Sequence, residues 1–286
     1  MSYVIVSDSS SNLFSLPGAN YTTVPLKIVA SKEYVDTPDV DLAEMVADLK
    51  TIKGKTGSSC PNVQEWIDAF GDAEYVFGIT ITKYLSGSYN AAQQAAATYM
   101  EEHPGRKVFI IDSLSAGPEM AMLTEKLFQL DAAGEDFETI KEKALEYHNN
   151  NHTLFCLESM NNLARNGRVS PAAAKIASLL GIRGVGDVEG GQIIALHKPR
   201  GAKKATETLF QMMKERGFYD GAQLRIAHCF GKESALALRD AVLAEFPNTR
   251  FTLEHTTALC SFYAEAGGLM IGFEGGFNEK NDNRKF

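Results

Sequence analysis

A two-domain α/β protein is the fold class this sequence predicts, on three observations. At 286 residues the chain is longer than one typical core needs and suits two, since single domains usually run to about 100–200 residues. In the first half, short β-branched and aromatic runs alternate with helical patterns, which implies a mainly parallel sheet with flanking helices. Around His148–His152 the character changes: an Asn-rich patch closes a charged helix and a new apolar run opens at Thr153. The expected division is therefore an N-terminal α/β domain, 1–152, and a C-terminal α+β domain, 153–286.

The elements follow in order. Tyr3–Val6, Thr22–Leu26, Tyr75–Ile81 and Lys107–Ile111 read as strands, rich in β-branched and aromatic residues. Asp41–Leu49, Val63–Phe70, Ser88–Tyr99 and Glu119–Leu130 carry alanines and apolar residues at three- and four-residue spacing, so they read as helices. Past the break come a strand at Thr153–Leu157, a helix at Ser170–Leu180, and a hairpin signal at Val188-Glu189-Gly190-Gly191-Gln192 leading into a strand at Ile193–Leu196. Helices near Lys203–Arg216 and Lys232–Glu245 alternate with strands near Gln223–Cys229, Arg250–Glu254 and Leu269–Phe273. The tail Asn278–Phe286 is polar and expected to fray.

Composition excludes several classes. A formal charge of −8 argues against a nucleic-acid protein, because neutralising phosphates takes clustered Lys and Arg in excess. No run approaches the ~18 apolar residues of a membrane span, and the first residues lack the basic flank and apolar stretch of a signal segment. Cytoplasmic residence is the default expectation. Cys60, Cys156, Cys229 and Cys260 are widely spaced with no CxxC pair, which disfavours zinc and a disulfide framework. The last three read as buried small hydrophobes.

Ligands of open α/β sheets collect at the carboxyl ends of strands. Three polar loops fall there: Asp8-Ser9-Ser10-Ser11, Thr82 to Gly87, and Asp112 to Gly117. Two hydroxyl-bearing turns stand out, Lys55-Thr56-Gly57-Ser58-Ser59-Cys60-Pro61 and Leu85-Ser86-Gly87-Ser88-Tyr89. Their short donors and glycines suit a small anion, and no histidine or carboxylate at local spacing would activate a nucleophile. Helix capping explains the same residues: Ser58 or Ser59 for a helix near Asn62, Ser86 or Ser88 for the alanine-rich helix.

Asn166-Gly167-Arg168 is a turn whose guanidinium suits a carboxylate, or simply solvent. The basic stretch Lys198, Arg200, Lys203 and Lys204 is either a solvated face or a docking surface for an acidic or phosphate-bearing partner. Metal signals are weak. His148 and His152 have helical spacing but no HExxH carboxylate, and Asp8, Asp36 and Asp112 form only a dispersed trio.

Taken together, these segments resemble the DegV family of two-domain fatty-acid-binding proteins, over nearly the whole chain. Val6-Ser7-Asp8-Ser9-Ser10-Ser11-Asn12-Leu13 is similar to its opening strand and DS-turn, with Val24-Pro25-Leu26 and Tyr34-Val35-Asp36 following at the family's spacing. Lys55-Thr56 opens its threonine and serine loop, Leu85-Ser86-Gly87-Ser88-Tyr89 is like its LSGTY turn, and Ile111-Asp112-Ser113 is like its IDS strand end. Asn166-Gly167-Arg168 is like the GGR turn, and Arg200-Gly201-Ala202-Lys203-Lys204-Ala205 is like its RG-x-KKA segment.

The resemblance implies the EDD fold and one long-chain fatty acid in a buried tunnel between the domains. It further implies a carrier rather than an enzyme, with no metal or cofactor, and a separate ATP-dependent fatty acid kinase subunit as partner. Carried over, Thr56 and Ser86 hold the carboxylate, joined by Ser58, Ser59 and Gly87 of the two turns, with Arg168 in support from the second domain. Tyr263-Ala264-Glu265-Ala266-Gly267 stands where the family usually has a histidine and Gly-Pro-Gly, which puts Tyr263 in the imidazole's place.

This reading is energetically coherent. A sixteen-carbon tail contributes on the order of 10 kcal/mol at about 0.8 per methylene, and a neutral hydroxyl nearer 1 kcal/mol. A clamp of neutral groups alone disfavours a desolvated carboxylate, so Arg168 or a proton must assist. The competing expectation is a hydrolase or transferase acting on acyl or phosphate esters through Ser86 or Cys60.

Overall fold

The computed structural model describes residues 3–52, 54–170 and 181–276. Ser170 apart, the helix expected at Ser170–Leu180 lies outside them, as does the polar tail. Strands β1 (Tyr3–Asp8), β2 (Tyr21–Val24), β6 (Tyr75–Thr80) and β7 (Lys107–Asp112) form a parallel sheet in the order β2-β1-β6-β7. Alternation along the strands sends successive side chains to opposite faces. Val4, Val6 and Val76 cluster with Trp66, Phe70 and Ala95 of α2 (Val63–Phe70) and α3 (Ser88–Glu102). Ile5, Phe77 and Ile79 cluster with Met120, Leu123 and Ile140 of α4 (Pro118–Ala132) and α5 (Phe137–His148).

The second sheet has six strands: β8 (Asn151–Leu157), β9 (Gly184–Glu189), β10 (Gln192–His197), β11 (Gln223–His228), β12 (Arg250–His255) and β13 (Leu269–Glu274). Its order is β10-β9-β8-β13-β11-β12, and only β11 and β12 run parallel. One cluster joins this sheet to α7 (Ala202–Glu215) and α8 (Lys232–Glu245) through Leu209, Met213, Leu238 and Val242. On the other face, Phe155, Leu157 and Val188 meet α6 (Asn161–Arg165) and α9 (Ala258–Ala264). That cluster also takes in first-half residues: Ile28 and Tyr34 from a three-stranded sheet, β4 (Glu33–Val35)-β3 (Lys27–Val29)-β5 (Gly57–Ser59), and Met45 from α1 (Leu42–Thr51).

Three readings from sequence change. The strand expected to run through Leu26 stops at Val24, because Pro25 has no N–H for a ladder; Leu26 N donates instead to Ser9 Oγ at 2.9 Å. The 152/153 cut falls inside β8, which pairs with β9 and β13 and opens at Asn151. The histidine pair does not share a helix face: His148 ends α5 with Nδ1 2.8 Å from Glu119 Oε1, while His152 lies in β8 with Nε2 2.9 Å from the Gly276 carbonyl. Among the described residues no helix is long and apolar enough to cross a membrane.

Candidate functional site: an apolar cavity with a polar mouth

A cavity of about 810 Å³, counted out to its opening, lies where the three sheets meet. Its walls are mainly apolar: Leu26 of the segment leading into β3, Ile81 and Leu85 after β6, Phe155 and Leu157 of β8, Val188 and Ile193 of the β9–β10 hairpin, and Leu259 of α9. Ser58, Ser86, Arg168 and Tyr263 form the polar mouth.

Each mouth residue is held by a local device. In β5, Gly57, Ser58 and Ser59 pair with Val29, Ile28 and Lys27, so a segment read as a turn is a strand. Alternation turns Ser58 inward, where its hydroxyl and that of Tyr263 share a hydrogen bond of 2.7 Å. Ser59 is exposed and lines no part of the cavity. Neither serine caps α2; Asn62 does, in a capping box with Glu65. Gly87, not Ser86 or Ser88, is the N-cap of α3. Ser86 Oγ accepts from Ser88 N at 3.2 Å, which leaves its own proton free to donate, and Ser88 Oγ donates to Asp8 at 2.6 Å.

Arg168 joins the two halves. Its Nε donates to the Leu85 carbonyl at 3.2 Å, Nη1 donates to the Asn166 carbonyl, and the guanidinium carbon is 5.9 Å from the Tyr263 ring centroid. The three motif segments touch: a Cβ on Gly87 would stand 3.2 Å from Cys60 Sγ, and one on Gly57 3.2 Å from Asn166 Oδ1. Glycine permits this approach. Thr56 adjoins the mouth in sequence; its Oγ1 is buried without a partner, yet it does not line the cavity.

The acidic trio does other work. Asp8 accepts from Ile81 N at 2.9 Å and from Ser88 Oγ and Ser10, tying β1, β6 and α3 together; burial pushes its carboxyl upward. Asp36 accepts from Ala258 N at 2.8 Å at the start of α9, and burial raises it to about 6. Asp112 accepts from Lys83 N and Leu114 N, and burial raises it too. Among the described residues no His, Cys, Asp and Glu side chains group as a metal site. Among the described residues no imidazole or carboxylate lines the cavity, so none of them gives Ser86 or the exposed Cys60 a base there. Cys156, Cys229 and Cys260 are buried, as expected. Lys198, Arg200, Lys203 and Lys204 are exposed and apart from the cavity lining, with Lys204 paired to Glu207 at 3.2 Å.

Sequence reasoning missed Ser10, Thr153, Cys260 and Met270 as lining residues. Alternation along β8 was the available signal for Thr153, which shares a face with Phe155 and Leu157.

Fold and site define a class: an α/β protein around an enclosed apolar slot with hydroxyls and one guanidinium at its mouth, fit for an amphiphile with a single polar end. The chain belongs to the DegV family, whose model, described as an uncharacterised protein family, matches residues 2–274. A DegV domain-containing protein of Streptococcus pneumoniae strain R6 is 36% identical over 280 residues, covering 96% of this chain and 99% of that one. A DegV family protein of Eubacterium eligens, crystallised loaded with heptadecanoic acid, matches with a TM-score of 0.93 and 36% identity over 96% of this chain and all of that one, 100%. The Streptococcus pneumoniae fatty acid kinase B3 protein, loaded with linoleic acid, gives the same figures: TM-score 0.93, 36% identity, 96% and 100% coverage.

Proposed function

We propose that this protein binds one long-chain fatty acid in the cavity and presents its carboxylate to a separate kinase subunit. The observation that carries the reading is the asymmetry of the lining: an apolar interior, with Arg168 and the Ser58, Ser86 and Tyr263 hydroxyls together at the mouth. An acyl tail takes the interior, where burial stabilises by about 0.8 kcal/mol per methylene. The carboxylate takes the mouth, where charge-assisted hydrogen bonds fix it. Family members crystallised with heptadecanoic and linoleic acids support this choice of ligand.

In this reading Thr56 belongs to the carboxylate set through its unpartnered hydroxyl, and Gly87 lets the Ser86 turn approach. Among the described residues the lining supplies no base, which favours a carrier without chemistry of its own; in this reading it needs no cofactor and works in the cytoplasm. The fatty acid kinase B3 relative supports a kinase as the receiver. The exposed basic stretch Lys198–Lys204 is its docking surface. Native mass spectrometry of protein purified without added lipid tests the ligand assignment. The expected result is one retained acyl chain per protomer, displaced by added fatty acid; failure to retain or bind any fatty acid overturns it.

A further inference from the structure

We infer that Met270 sets the length of acyl chain this protein accepts: its thioether closes the far end of the cavity, and the tail's terminal methyl stops against it. The inference rests on the fatty-acid reading and adds the residue that limits the ligand's size. Two groups of lining residues mark the two ends. Beside the mouth residues stand Ser59, Cys60 and Gly167, all exposed, so that end opens to solvent. Ser10, Cys260 and Met270 also line the cavity. Their neighbours in the chain, from Ser9 and Ser11 to Leu269 and Ile271, are buried, so this end is closed.

The closed end is tied into one piece. The Ser10 carbonyl accepts from Gly117 N at 2.7 Å and from Cys260 Sγ at 3.5 Å. Met270 reaches across from β13, where a Cβ on Gly117 would stand 2.8 Å from Met270 Cε and 3.9 Å from Cys260 Sγ. Only glycine leaves the methionine that room. Met270 alone among the residues of β13 is not buried. Since β13 lies inside the sheet, and its partners there, Phe155 and Ala227, are buried, the surface Met270 keeps belongs to the cavity it lines. The other polar and sulfur groups of this end are fixed, Ser10 Oγ donating to the Asp8 carboxylate and the Cys260 thiol to the Ser10 carbonyl. An unbranched thioether is the movable part. It fills the space a longer tail needs. Up to its methyl each added methylene gains burial; past it the next carbon must displace packed atoms.

An equimolar mixture of the saturated acids from decanoic to docosanoic, offered to delipidated protein and read by native mass spectrometry, tests this in wild type, Met270→Ala, Met270→Phe and Leu259→Ala. Wild-type occupancy should rise about fourfold per methylene up to one length and fall beyond it. Met270→Ala should carry that maximum to acids about two carbons longer, since it removes the thioether arm, and Met270→Phe should carry it to shorter ones. Leu259→Ala, a change in the wall, should weaken every length alike. A maximum that stays in place in both Met270 variants overturns the inference, as does an equal displacement by Leu259→Ala. If wild type takes up none of the acids, the fatty-acid reading falls and this inference with it. If wild type takes them up and the maximum does not follow Met270, only the role of Met270 falls.

Discussion

The mouth and the walls of the cavity are built on opposite principles. Strand β5, the Ser86 and Arg168 turns and helix α9 form the mouth, fixed by a few directional bonds such as Ser58–Tyr263 and Arg168–Leu85. Side chains from β8, β9 and β10, from the segments that lead into β3 and follow β6, and from α9 form the walls, joined mainly by apolar contact. The difference teaches a division of labour: walls set how tightly an amphiphile is held, and the mouth sets which end faces out. Burial scales with area and has no direction, whereas hydrogen bonds contribute little net energy and strong geometry.

The sharpest way to break this comparison is to shorten the ligand. Replacing hexadecanoic by octanoic acid removes eight methylenes and should cost on the order of 6 kcal/mol in binding, read by calorimetry. A loss below about 2 kcal/mol would mean that the mouth, through its charge-assisted bonds, carries the affinity.

Next comes Arg168→Gln, which removes the one cation that lines the cavity among the described residues. Hexadecanoic acid should weaken by about 2 kcal/mol while hexadecan-1-ol changes little. Equal weakening of both would make Arg168 a wall residue rather than a carboxylate partner.

Asp36 tests the element that serves both regions, since α9 carries Leu259 of the wall and Tyr263 of the mouth. Burial raises this carboxyl to about 6 from 3.8. The folded state thus binds the proton more tightly than the unfolded state, so the group favours folding below about pH 4 and loses that contribution as pH rises through 6. Relative to Asp36→Asn, wild type should gain on the order of 2 kcal/mol in urea stability between pH 7 and pH 4. A difference independent of pH would contradict the burial of Asp36 at the start of α9.

The smallest effects come from single hydroxyls. Ser58→Ala and Ser86→Ala should each weaken hexadecanoic acid by about 1 kcal/mol, while Ser59→Ala, on the opposite face of β5, should change nothing measurable by the same titration. A loss on Ser59→Ala equal to that on Ser58→Ala would break the assignment of faces.

The same contrast governs what could be read from sequence. The parallel sheet was legible because β1, β6 and β7 alternate cleanly between two apolar faces. Arg168 and Ser86 were legible because turns concentrate glycine and short polar residues. The role of Gly57–Ser59 as a strand was not, because its partner β3 supplies the ladder and three small residues carry no periodicity. The capping of α2 was misplaced because Ser58, Ser59 and Asn62 compete on composition, and only the reciprocal bond with Glu65 decides. The walls were illegible for a further reason: Leu26, Phe155 and Leu259 share a surface only after β3, β8 and α9 have packed.

The most direct test of the central claim is a crystal structure with octadecanoic acid bound. The carboxylate should lie within hydrogen-bond distance of Ser58, Ser86 and Arg168, with the chain running past Phe155 toward Thr153. A carboxylate buried at the Thr153 end, or a lipid lying outside the cavity, would contradict it.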